Sequence, residues 1–217
     1  MNSHARQARY SSRRVTATAV VLVVAAVIAA VSLLDSRHDG LSSEAVAAGL
    51  PNATRSNTTG NLTDLDKTFL TKVRQAGLWE IPAGRLAQTH ASSEAVKRAG
   101  MHLLDGHSKL DQLVREDARG LGVPIPDQAT PEQQAWVRQL ENAQGLQFDQ
   151  LFVDLLRNSH GKVFIVIGEV RATTKNPLVR RLATQANDTV QDHMEVLEDT
   201  GLVTDATLED VASSIPH

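Results

Sequence analysis

Glu80, His107, His160 and His193 each sit in the middle of an otherwise apolar helical stripe. Most helix bundles fill such positions with Leu or Ala. Burying an unpaired polar group costs on the order of 1–7 kcal/mol, so four such residues at one depth must either satisfy one another or bind something. Three imidazoles and one carboxylate form a donor set for a single transition-metal ion: Zn, Mn, Fe or Cu. The same residues also allow a purely structural reading. Glu80 can accept from one or two imidazoles, and the network then only fixes helix packing.

Each of these residues depends on a helix to place it. The first helix is expected over about 64–89, with Leu70, Val73, Gly77, Glu80, Gly84 and Ala87 on its inward face. The steps of three and four residues are those of one helix face. Pro82 removes a hydrogen bond inside this helix. The second helix, over about 93–119, presents Val96, Gly100, Leu103, His107, Leu110 and Val114. Gly120, Gly122, Pro124 and Pro126 stop it. A short helix over about 131–142 follows, with Thr130 as its cap, Pro131 first and Gln133 closing a capping box. The next helix, about 146–174, carries Asp149, Phe152, Leu156, His160, Phe164 and Ile167. The last opens at Asn176-Pro177, presents Leu182, Ala186, Thr189, His193 and Val196 or Leu197, and ends at Gly201. No strand is expected.

Loop lengths set the topology. Tight turns near Ala91 and Lys175 make two antiparallel hairpins. The link between the hairpins is long enough to cross the bundle, which predicts an all-α, ferritin-like four-helix bundle. Counting from the turns at 1.5 Å per residue puts the four polar residues at depths of roughly 17 to 27 Å, within about two turns of one another. A di-iron centre is not expected. Such sites use Glu-x-x-His on two helices, and here Leu104 and Val190 stand three residues before His107 and His193. Asp149 shares a stripe with His160 but lies roughly 16 Å up the helix.

Other polar residues fit bland roles. His90 and His102 fall off the stripes and are expected at the surface. Asp111, Arg115 and Glu116 read as a solvated face, Glu169 faces away from His160, and Trp79 and Trp136 read as packing. No Gly-rich phosphate loop, nucleophile elbow or Ser/His/Asp arrangement is present, so no catalytic residue is assigned.

The rest of the chain bounds setting and partners. A net charge of -3, a pI of about 6.2 and 3% aromatics leave no footprint for nucleic acid. With no cysteine, disulfides and thiolate sites are excluded. Residues 1–14 form a basic tail with Arg6, Arg9, Arg13 and Arg14, and 15–34 is an uncharged apolar run. About 20 residues of helix span a bilayer's hydrocarbon core, and the basic flank places the N-terminus in the cytoplasm. The expectation is a single-pass membrane anchor with an extracytoplasmic domain. The alternative is a signal cleaved near Ala45-Val46-Ala47, leaving a secreted or periplasmic protein. Residues 35–62 read as a linker, 63–202 as the helical domain and 203–217 as a C-terminal tail.

Three stretches carry a family resemblance. They are Gly77-Leu78-Trp79-Glu80 with Gly84-Arg85-Leu86-Ala87; Leu104-Asp105-Gly106-His107-Ser108-Lys109-Leu110; and Phe148-Asp149 leading to His160, Asn176-Pro177 and His193. Over about 66–202 the chain resembles the DUF4142 proteins. The resemblance implies a ferritin-like bundle in an exported bacterial protein. It suggests metal binding and supplies no activity.

Overall fold

The computed structural model describes residues 62–215. The apolar run expected to anchor the chain and nearly all of the linker lie outside the described residues. No described helix is long and apolar enough to cross a membrane.

Among the described residues there are six helices and no strand: α1 (Asp64–His90), α2 (Glu94–Leu121), α3 (Pro131–Glu141), α4 (Gly145–Thr173), α5 (Pro177–Glu198) and α6 (Asp205–Ser213). Local chemistry sets their ends. Thr63 and Asp66 form a reciprocal capping box at α1, and Thr130 and Gln133 do so at α3. Ser93 caps α2 through the amides of Ala95 and Val96, and Asn176 caps α5 through Leu178 and Val179, with Pro177 at its first turn. Gly122 ends α2 at φ 67, a left-handed conformation that glycine adopts without a Cβ penalty. Helix α1 runs unbroken through Pro82.

The four long helices surround one core. Helix α1 packs antiparallel on α2, with Arg74 opposite Asp111 and Gly84 opposite Gly100. A Cβ on Gly84 would stand 2.6 Å from the Gly100 carbonyl oxygen, so only glycine permits this approach. Helix α5 runs antiparallel to α4, pairing Arg157 with Glu198, and to α2, pairing Asp117 with Arg181. The start of α4 meets the α1–α2 turn. Asp149 accepts from the amides of Ser92 and Ser93 at 3.1 and 3.0 Å and from the Ser92 hydroxyl at 2.5 Å. Helix α4 is therefore parallel to α2, and the connection holding α3 carries the chain back along the molecule. Asp149 is a structural tie.

Three expectations need correction. Residues 205–213, expected within a C-terminal tail, form α6, which packs over Gly161 of α4, where an added Cβ would meet Val211 at 2.7 Å. Thr207 donates to Asp154, and Asp210 accepts from Asn158 and Lys162. Asp111 does not belong to a solvated face. Its side chain is only 16% exposed and pairs with Arg74, whose Nε also donates to the Pro126 carbonyl. Phe164 is half-buried rather than fully inward.

Candidate metal centre

The core divides into two apolar clusters. One is built around Trp79, Leu103, Phe152, Leu156 and Leu197, and the other around Leu70, Leu110, Ile167, Leu182 and Val190. Glu80, His107, His160 and His193 fall between these clusters on α1, α2, α4 and α5. All four are at most 2% exposed. The matching depths inferred from the loops thus become one polar layer. One potential ligand atom from each residue lies within 4.8 Å of the others, and all four predicted residues are brought together.

The donor atoms crowd one another without bonding well. His107 Nε2 lies 2.5 Å from Glu80 Oε2, and His160 Nε2 lies 3.3 Å from the same oxygen. Yet Glu80 Oε2 and both ring nitrogens of His107 are buried without a hydrogen bond. The His107–Glu80 contact is a close polar pairing without the geometry of a well-directed hydrogen bond.

The tautomers sharpen this. A carbonyl oxygen only accepts. His160 Nδ1 lies 2.8 Å from the Leu156 carbonyl and must donate to it, while His193 Nε2 donates to the His102 carbonyl at 3.1 Å. In the neutral rings, His160 Nε2 and His193 Nδ1 are then both bare, and they face each other at 3.1 Å. Burial opposes protonation of two of the rings. Burial, then the charges of His107 and His160, push the His193 imidazole far below its ordinary range. Burial likewise lowers His160, against the opposing pull of Glu80. Burial pushes the Glu80 carboxyl up, but His107 and His160 outweigh it, and the group sits below the ordinary carboxylate range. The layer is therefore a carboxylate held below its ordinary range beside buried rings, with His160 Nε2 and His193 Nδ1 facing each other.

That arrangement can hold a cation. Four bonds of about 2.1 Å in a tetrahedron put donor atoms about 3.4 Å apart, close to the 3.1 and 3.3 Å contacts here. The backbone carbonyls of Leu156 and His102 supply the outer hydrogen bonds that fix ring orientation in metal-binding histidines. No carboxylate stands in helical register behind His107 or His193, so one ion suits the site better than two.

Two contributors escaped sequence reasoning. His102 is exposed as a side chain, but its backbone orients His193. Gly106 lies under the His193 ring: a Cβ there would stand 2.5 Å from Nε2 and 2.8 Å from Thr189 Cγ2. A glycine inside a helix costs about 1 kcal/mol against alanine, so Gly106 between Asp105 and His107 was a readable sign of close approach. Trp79 and Trp136 are packing residues as expected, edge-to-face at 5.0 Å.

Fold and site together define an all-helical domain with a buried His/Glu layer able to hold a metal ion. The chain belongs to the DUF4142 family, described as a domain of unknown function, which matches residues 51–200. Among solved structures it is similar to a DUF305 fragment from Deinococcus radiodurans. The TM-score is 0.56 at 16% identity, over 64% of this chain and 95% of that one. At that identity the likeness speaks to fold alone. No curated protein matches.

Proposed function

We propose that this is a membrane-anchored, extracytoplasmic protein whose ferritin-like four-helix bundle binds one transition-metal ion through Glu80, His107, His160 and His193, serving metal handling or stress protection. One observation carries the metal reading: two buried imidazole lone pairs face each other at 3.1 Å, each fixed by a backbone carbonyl behind it. A cation between them turns that repulsion into ligation. The two-hairpin arrangement with its long crossover supports the ferritin-like assignment. Anchoring rests on the apolar run over 15–34 and the arginines before it.

The test is metal content of the full chain, purified without chelator and then offered Zn, Mn, Fe and Cu salts. One equivalent is expected for wild type, and far less for His107→Ala and His160→Ala. No stoichiometric metal in wild type would sink the reading. A mature mass beginning near residue 48 would replace the anchor with a cleaved signal. The 2.5 Å contact between His107 and Glu80 favours a second reading, a buried His/Glu network that only fixes packing. It predicts no metal under any of these conditions.

A further inference from the structure

A cavity of about 540 Å³ reaches the polar layer from one side. Glu80, His107 and His160 border it, whereas His193 does not. Its lining is mixed: Val163, Ile167, Ala186 and Val190 give it an apolar wall, and Lys72, Asn158, Lys162 and Glu169 are among its polar and charged members. On the opposite side His193 borders a separate surface cleft, together with His102, Gly106 and Thr189. There the His193 ring rests on Gly106 and donates Nε2–H to the His102 carbonyl, so its bare Nδ1 points inward.

A site meant only to hold an ion structurally is sealed by its ligands, whereas a reactive or exchanging site keeps a position open. Here three of the four donors border a hollow, and Glu80 Oε2 and both His107 ring nitrogens are buried with no hydrogen-bond partner. A hollow of this size beside the donors accepts a small molecule with a lone pair at one end.

We propose that this cavity is the binding site of an exogenous metal ligand: a small molecule with a lone pair at one end, of the class of azide, that coordinates the ion end-on from the cavity side. This rests on the metal reading above. An ion held by the four residues takes the guest as a fifth ligand, and the cavity surrounds the rest of the guest.

The experiment uses the full chain loaded with Co(II), whose visible spectrum reports coordination number, and sodium azide as the probe. Cobalt content is measured first. The expected result is one cobalt per chain and a saturable spectral change with a single azide per cobalt. Ala186→Phe, which fills the cavity, should keep the cobalt while weakening azide binding by about tenfold or more. Val163→Phe, at a half-buried position, serves the same purpose should circular dichroism show Ala186→Phe to be misfolded. Bound cobalt with a spectrum indifferent to azide would overturn the exogenous-ligand site and leave the metal reading standing. Azide binding unchanged in a folded, blocked variant would overturn the cavity as its route. Absence of cobalt would remove the metal reading, and this inference with it.

Discussion

At the scale of single residues, the site is a set of ring orientations rather than a set of residue types. His193 shows this best. Its Nε2–H is committed to the His102 carbonyl, which leaves Nδ1 bare against His160. Replacing it with leucine removes the facing lone pairs. In metal-free protein, His193→Leu should raise stability by about 1 kcal/mol, as buried polar groups replaced by apolar ones often do, while stoichiometric metal is lost. Urea unfolding and metal analysis check this together, and a clear loss of stability would favour the packing-network reading instead. Gly106→Ala tests the floor under the same ring. Its Cβ would collide with Nε2 at 2.5 Å. The expected cost is about 1–3 kcal/mol, the usual range for overpacking, together with a loss of metal. Retention of full metal content would refute a positioning role for Gly106. The residues Glu80, His107, His160 and His193 were all legible in the sequence because a polar residue on an apolar stripe is an anomaly. Gly106 was printed in the same motif, but the partner that forbids its Cβ lies on a helix about 85 residues further along the chain.

At the scale of elements, caps and stripes carried nearly everything. Asn176-Pro177 and Thr130-Pro131 with Gln133 start their helices as capping chemistry requires. The stripe on α2 is buried at every position from Val96 to Val114 that the period selects. Helix α6 was not legible. It is short, its apolar positions are few, and it stands by docking on Gly161 and by side-chain bonds to Asp154, Asn158 and Lys162. Short helices of that kind gain their stability from tertiary packing. Asp149 shows a polar residue on an inward stripe acting as structure alone. It closes the α1–α2 turn with three hydrogen bonds and is 1% exposed. Asp149→Ala should cost about 1–3 kcal/mol, since it removes the hydrogen bonds that close the turn, and should leave metal stoichiometry unchanged in the folded fraction. Calorimetry with metal analysis measures both, and metal loss from a fully folded variant would place Asp149 in the site after all.

At the scale of the whole molecule, the buried layer couples stability to pH. The folded-state values of His160 and His193 lie below their ordinary 6.5, so below that pH the unfolded chain binds more protons than the folded one. Stability therefore rises with pH and is lost as pH falls through the unfolded-state value, by up to about 1.4 kcal/mol per pH unit for each ring. Glu80, also lowered, adds the same sign below its ordinary 4.5. Metal-free protein should thus show a falling urea midpoint from pH 7 to pH 5, and bound metal should be released over the same range as protons compete for the rings. A flat midpoint across that window would show that these rings are not held neutral. The sequence alone determined which face of each helix turns inward, where the helices begin, and, through its two tight turns and one long link, that four polar residues share a level. Those are properties of a periodic backbone and of loop length, and both are local. Only the tertiary structure decided which nitrogen of each ring is bare, that two of them oppose each other, that α6 covers Gly161, and that a cavity meets three of the four donors. These depend on side chains from different helices reaching one point in space, and no periodicity along a single helix encodes that distance.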